Sequence, residues 1–407
     1  MNRSVGTERH VAALVLLDGA QLAALLTILP FLLFTGTTAS GAAAAAPLAV
    51  GLAMGVVGTL AVGRLSDKVS PYGLLQSMQC LQIVVYALTL AAASTKSMAL
   101  LAVSAAASVA LARSVGPAKD KIRAEHIGPD RRTSFNATTR RWFLVVNQVA
   151  VAVCTVGLTA LPRIAWPLSL TLVIAVNLAS LLMTQSLRRR QPGSTDNPAA
   201  HLHPERLNSQ QRLLLVWGLA LIGVLGLGSA LPTVGLTAWI TRTHGYPPWI
   251  VSAVGVIVLA ADFWFIKWTS EFVTSRPRWW ATIHRFGSIL LIAALATTVA
   301  GTQSRSTPVA LSLIVLGMVL SALSLSVGTL LAMEIQYGFG SPATRGWVAS
   351  LTRTGSIAGT AAATALAPGI FFAAWPVIAC VTFLAVAALL VPGRLSRQLT
   401  EAVVPVR

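Results

Sequence analysis

Residues Val11–Phe34 read VAALVLLDGAQLAALLTILPFLLF. One bilayer crossing takes about 20 mostly apolar residues in a helix, and this run meets that length with a single carboxylate, Asp18, inside it. It exceeds the roughly 7–15 apolar residues of a secretion signal. Arg3 and Arg9 before it, and Ala39-Ser40-Gly41-Ala42 after it, are therefore read as flanks of an uncleaved first span rather than as a leader and its cleavage site.

Working outward, similar runs recur at 42–62, 74–93, 97–115, 142–161 and 166–186, and again at 212–240, 249–268, 280–302, 306–332, 346–370 and 373–392. Between the two sets lies a polar stretch, Leu187 to Arg212, with Arg188-Arg189-Arg190 and no periodicity. It reads as a flexible linker. The predicted layout is an N-terminal six-helix bundle over 1–186, a cytoplasmic linker over 187–211 and a C-terminal six-helix bundle over 212–407 with a short cytoplasmic tail.

Composition agrees. Apolar residues are 55% of the 407 and charged residues 10%, against about 25% charged in soluble domains. The net charge of +18 raises nucleic acid as a partner. That needs basic residues gathered on a folded polar face, and no polar stretch here is long enough to be a domain. Lys and Arg collecting in cytoplasmic loops explain the charge instead. With both termini placed inside, only Lys96, Arg163, Arg242 and Arg305 of the 30 basic residues fall outside, and the longest inner run is Lys119 to Arg141. Trp264, Trp268, Trp279 and Trp280 suit an interfacial aromatic belt. Cys80, Cys154 and Cys380 sit in apolar runs and read as small buried side chains rather than as a metal or disulfide set.

The halves echo each other at a spacing of about 200 residues. Leu29-Pro30 matches Leu231-Pro232, Pro47 matches Pro248, Asp67 matches Glu271, and Glu125 and Arg141 match Glu334 and Arg353. An even number of spans per unit makes such a repeat parallel.

Gly63-Arg64-Leu65-Ser66-Asp67-Lys68 follows the second span. It resembles the first six positions of the signature loop of the major facilitator superfamily, Gly-x-Leu-x-Asp-Arg/Lys-x-Gly-Arg. Ser70-Pro71-Tyr72 then departs from it. With the two sets of six spans the whole chain is similar to that superfamily, and the first span, with Leu17-Asp18-Gly19 and Pro30, looks like its actinobacterial members. The resemblance implies an all-α membrane protein: twelve transmembrane helices in two six-helix bundles related by a parallel pseudo-two-fold.

The resemblance also implies a cytoplasmic gate at this loop, formed by Gly63, Arg64, Asp67 and Lys68 with Glu271 as the repeat counterpart. Physically, Asp67 would cap a helix N-terminus or pair with a base on another helix. Gly63 would let two helices approach closely.

Polar groups inside spans are costly and mark function by default. Asp18 and Gln21 share one face of the first span, Arg113 ends the fourth, and Asp262 lies in the eighth. Loss of water favours a neutral carboxyl, which suits proton loading. These four are the expected substrate- or proton-handling residues. Competing readings are a structural cap for Asp18, a topology-setting charge for Arg113 and an interfacial ion pair with Lys267 for Asp262. Gln79, Gln82, Asn147, Gln148 and Asn177 read as helix glue. Pro30 and Pro232 are expected helix hinges, and Gly223, Gly226 and Gly228 are expected to loosen the seventh span. Gly51-x-x-x-Gly55 and Gly355-x-x-x-Gly359 are close-packing motifs. They lie on helices that, in the superfamily, meet between the halves.

No phosphate-cradling Gly-x-x-x-x-Gly-Lys-Ser/Thr, His-Glu-x-x-His or Gly-x-Ser-x-Gly occurs. No catalytic, cofactor or metal site is expected, and the chain reads as a non-enzyme driven by a gradient. A proton falling through about 150 mV supplies roughly 3.5 kcal/mol. The expected function is alternating-access transport in the plasma membrane by a monomer. The leading form is proton-coupled export of a small amphipathic compound, a drug or secondary metabolite. Against it, Val151–Gly157 in the fifth span lacks the Gly-Pro…Gly-Gly pattern of superfamily antiporters. Proton-coupled import of a small polar nutrient is the alternative, and a non-transporting receptor or scaffold is the third reading.

Overall fold

The computed structural model describes residues 2–36, 41–127, 131–189, 209–230, 249–275, 280–338, 345–371 and 375–390. Pro232, Trp279, the linker over 190–208 and the tail over 391–407 lie outside them, as do the side chains of Pro30, Trp280 and Glu334. All long elements among these residues are helices. They are α1 Asn2–Gly36, α2 Gly41–Lys68, α3 Pro71–Ser94, α4 Met98–Ser114, α5 Gly116–His126, α6 Arg132–Ala160 and α7 Pro162–Arg189. Then come α8 Ser209–Gly226, α9 Trp249–Ser275, α10 Trp280–Gln303, α11 Thr307–Gly338, α12 Arg345–Phe371 and α13 Trp375–Leu389. Among the described residues eight helical stretches, α4 and α5 together counting as one, are long and apolar enough to cross a membrane.

The chain divides into two compact units. The first comprises Met1–Glu205 and Gly340–Arg353, the second Arg206–Phe339 and Thr354–Arg407. In the first, α1 packs on α6 and α7, α2 on α4, and α3 on α4 and α7. Its core joins Leu25, Ile28, Leu29, Tyr86, Val109 and Leu170. In the second, α11 packs on α8, α9 and α10, and α10 on α13. Leu227, Leu291, Leu295, Ile314 and Met318 form its core.

The outer surfaces are apolar. Val57 and Val103 are each 68% exposed and Phe383 is 71% exposed, which fits lipid as solvent. Cys154 is buried, but Cys80 and Cys380 are exposed, against the expectation of burial. They sit on outward stripes beside Leu81 and Phe383, where lipid solvates a thiol as readily as a core would. Trp264 and Trp268 are also exposed, and the Lys267 ammonium lies 5.8 Å from the Trp264 ring centre. Lys267 thus reaches outward along an aromatic ring.

The packing fixes the partners of the small-residue motifs and corrects one expectation. A Cβ on Gly51 would meet the Ala106 carbonyl at 2.6 Å and one on Gly55 the Arg113 Cβ at 3.0 Å, so this motif seats α2 on α4 within the first unit. Gly355 and Gly359 face α8: a Cβ on Gly359 would strike the Gly223 carbonyl, and one on Gly226 would lie 3.5 Å from the Gly359 Cα. Gly223 and Gly226 therefore serve close packing within the second unit, and the α-helix gives way to a 3-10 turn over Leu227–Ala230 directly after them. Finally, α7 continues to Arg189 and α8 begins at Ser209, so both ends of the expected linker are helical. Leu187 is fully buried, which anchors that extra turn.

Candidate functional site: a buried ion network on α5

The segment after the fourth span carries five charges in eleven residues, Gly116–His126. Its polarity reads as a loop, yet it is a helix with Lys119, Asp120, Lys121 and Arg123 all buried. Pro117 near its start lacks the N–H that a continuing helix would need, so α4 ends and α5 begins there. Ile122 and Ala118 hold α5 in an apolar cluster with Val11, Leu14, Val62, Tyr72 and Leu75.

Successive residues of a helix point about 100° apart. Lys119, Asp120 and Lys121 therefore cannot face one neighbour, and each engages a different helix. Lys119 Nζ donates to Asp18 Oδ1 on α1 at 2.5 Å. Asp120 accepts from Arg353 on α12, Nε to Oδ2 at 2.6 Å and Nη2 to Oδ1 at 3.1 Å. This is the two-pronged geometry that makes Arg–carboxylate pairs strong. Arg123 Nη2 adds a bond to Asp120 Oδ1 at 2.9 Å. Lys121 Nζ donates to the Ser66 carbonyl at 2.6 Å and to Asp67 Oδ1 at 3.2 Å, both on α2.

Asp67 also receives the first turn of α12. Gly346 N donates to Oδ1 at 3.0 Å and Trp347 N to Oδ2 at 2.9 Å. These N–H groups have no acceptor within their own helix, and the positive end of the helix dipole favours the carboxylate. The approach depends on glycine. A Cβ on Gly346 would lie 2.7 Å from Asp67 Oδ1 and 2.8 Å from the Gly63 carbonyl; one on Gly63 would lie 2.8 Å from the Gly346 carbonyl. A Cβ on Gly116 would lie 2.5 Å from Arg353 Nε. Arg64 places its guanidinium 4.4 Å from the Trp347 ring centre, a cation–π contact. Lys68 is exposed.

The other expected site residues are dispersed. Gln21 is buried and donates to Tyr86 OH at 2.7 Å, one turn beyond Asp18 on α1. Thr59 donates its hydroxyl to the Arg113 carbonyl at 3.2 Å, and the Arg113 Nε has no hydrogen-bond partner among the described residues. Asp262 is buried in the second unit and accepts a hydrogen bond from the Ser326 hydroxyl on α11. Glu271, on α9, is exposed. The α1 helix is continuous through position 30; its side chain and Pro232 fall outside the described residues. Gln79 donates to Ser180 at 2.8 Å and Asn177 to the Gln79 carbonyl at 3.0 Å, joining α3 to α7. No group of three His, Cys, Asp or Glu among the described residues could hold a metal ion.

Sequence reading treated Lys119 and Lys121 as inner-side charges and missed Asp120, Arg353, Gly116 and Gly346 as parts of one site. The available signal was Asp120, an acid within a basic run that follows a Gly-Pro break.

Together these observations define a multi-pass α-helical membrane protein with an ion-pair cluster at one end of its first bundle. The fold is the major facilitator fold. A bacterial homologue of the iron transporter ferroportin, solved in an outward-facing state, superposes with a TM-score of 0.71 at 16% identity, covering 97% of this chain and 99% of that one. The human organic anion transporter MFSD10 gives 0.67 at 17% identity, with 97% and 99% covered. The proton:xylose symporter XylE, bound to 6-bromo-6-deoxy-D-glucose, gives 0.63 at 13% identity, with 98% and 95% covered. No family model and no curated protein sequence matches the chain.

Proposed function

We propose that this chain is a secondary active transporter working by alternating access, and that the cluster on α5 is its cytoplasmic gate. The observation that carries the reading is the assembly of Asp18, Asp67 and Asp120 with Lys119, Lys121 and Arg353 around one short helix. Burying charges costs more than it returns unless each is paired, and an apolar core is often more stable. A cluster of breakable pairs suits a latch that forms in one state and opens in another. In this reading Gly63, Arg64 and Asp67 cradle the start of α12, Lys68 is the exposed flank of the gate, and Glu271 is the lesser counterpart. Both termini lie in the cytoplasm, the membrane is the plasma membrane, and the working unit is a monomer.

The favoured activity is proton-coupled export of a small amphipathic compound. Asp18, Gln21, Arg113 and Asp262 are the proposed proton- or substrate-handling groups, with the Asp18–Lys119 pair as a place where a proton and an ammonium can exchange for one carboxylate. The structural neighbours carry metal, organic anion or sugar according to their descriptions, so the fold does not choose the cargo. Proton-coupled import of a polar nutrient is the second reading, favoured by the missing antiporter pattern in α6. Cells expressing the chain, loaded with a panel of fluorescent amphipathic cations and anions, test it. Lower accumulation that an uncoupler restores supports export; uptake that an uncoupler abolishes supports import. Flux indifferent to uncoupler removes proton coupling. If Asp18, Asp67 and Asp262 can be neutralised with no change in any flux, the receptor or scaffold reading takes over.

A further inference from the structure

We infer that the basic end of α7 is a binding site for an anionic phospholipid of the adjoining leaflet. One outward stripe of α7 carries Leu172, Ala175, Ala179, Leu182, Ser186 and Arg189. Leu172 is 53% and Leu182 64% exposed, and the two smaller alanines between them are exposed as well. From Ala175 to Ser186 the helix rises about 16 Å, roughly half of a ~30 Å hydrocarbon core. The stripe thus runs from apolar, through a hydroxyl, to a guanidinium over the length of one leaflet. A phospholipid presents the same order of chemistry: acyl chain, ester, phosphate.

A groove of about 300 Å³ opens at the polar end of this stripe, lined by Leu182, Gln185, Ser186 and Arg189. Gln185 and Ser186 offer donors at the level of the esters. Arg188 stands beside the groove and donates through Nη1 to Gln76 Oε1 on α3 at 3.1 Å, which fixes its cation at the seam between α3 and α7. Arg189 is exposed. No carboxylate among the described residues lines the groove, unlike the cluster on α5, where basic groups meet acids. The groove, whose lining residues all lie on α7, therefore presents positive charge at the interface, where basic residues attract anionic headgroups. The inference rests on the membrane-spanning reading and is independent of transport.

Thermal unfolding and native mass spectrometry of the purified full chain test it, with phosphatidylglycerol, phosphatidylcholine or glycerol 3-phosphate added. Phosphatidylglycerol is expected to bind and raise the midpoint, and the other two are not. Loss of each arginine, in Arg188→Gln and Arg189→Gln, should weaken phosphatidylglycerol binding about fivefold. Leu182→Trp keeps both charges but fills the groove, and should also reduce selectivity. Lys267→Gln, an exposed basic residue elsewhere, should leave it unchanged and reports on non-specific charge. Equal binding of phosphatidylcholine, or equal phosphatidylglycerol binding by the folded arginine variants, overturns the site. Stabilisation by glycerol 3-phosphate alone also overturns it, since the site then belongs to a free phosphate.

Discussion

At the end of α2, Asp67 takes two backbone N–H groups and one ammonium. Toward the end of α9, Glu271 points into the surroundings and is exposed. The two acids occupy matching places in the sequence repeat, so chain order alone makes them equals. What separates them is what other parts of the chain bring. Gly346, by lacking a side chain, lets the start of α12 reach Asp67, and α5 supplies Lys121 from a buried position. A duplicated sequence position thus carries a duplicated chemistry only where its donors are duplicated too.

The largest effect should come from breaking the engaged acid. In Asp67→Leu, Lys121 loses its carboxylate while its side chain stays 4% exposed, and the α12 N–H groups lose their acceptor. Removing one member of a buried pair costs about 3–5 kcal/mol. The chemical-unfolding midpoint of purified protein should fall accordingly, and flux should fall with it. A loss below about 1 kcal/mol would mean that water reaches Asp67 freely and that no latch exists there.

Next in size are the glycines, which compare the two units directly. Gly346→Ala puts a methyl into Asp67 and the Gly63 carbonyl, and Gly359→Ala puts one into the Gly223 carbonyl. Overpacking of this kind costs about 1–3 kcal/mol, so both variants should lose stability. They should differ in function. Gly346→Ala disturbs the latch and should change transport per folded molecule; Gly359→Ala disturbs only helix packing in the second unit and should not. Equal functional losses would mean that the α2–α12 contact is packing and nothing more.

The Asp18–Lys119 pair is expected to be smaller. A double-mutant cycle with Asp18→Asn and Lys119→Gln isolates their coupling, expected at about 1 kcal/mol within the 0.5–3 kcal/mol typical of contacting pairs. A cycle between Asp18 and Asp120 sharpens the point, because Asp18's partner Lys119 is adjacent to Asp120 on α5. Measurable coupling there would show that these two pairs act as one body; strict additivity would show two separate staples.

How much of this was legible in the sequence follows from the range of the interactions. The span in Val11–Phe34 was legible because about 20 consecutive apolar residues are a local property. Its helix runs further, Asn2–Gly36, since a helix can continue past the lipid into water. Asp67 was legible through its six-residue loop. Its partners Gly346 and Trp347 were not, because they stand some 280 residues away in the chain. Gly116–His126 was illegible for a related reason. Local polarity argues for a solvated loop, and only the distant Asp18, Asp67 and Arg353 make burying its charges tolerable. The glycine motifs announced close packing but not the partner: Gly51 and Gly55 face α4, while Gly63 further along α2 meets the start of α12.

The smallest expected effects test the quiet side of the comparison. Glu271 is exposed, so Glu271→Gln should fall within about 0.5 kcal/mol of the parent, as surface changes usually do. Gly73 lies in the first turn of α3, and nothing stands within 4 Å of where a methyl on it would sit. Gly73→Ala should therefore stabilise by about 0.5–1 kcal/mol through the helix preference of alanine. Unfolding midpoints of the two variants, measured beside Asp67→Leu, place all three on one scale. If Glu271→Gln cost as much as Asp67→Leu, the repeat would be symmetric in chemistry as well as in order. A second latch would then have to exist in the second unit, and the single gate proposed around α5 would be half of a pair.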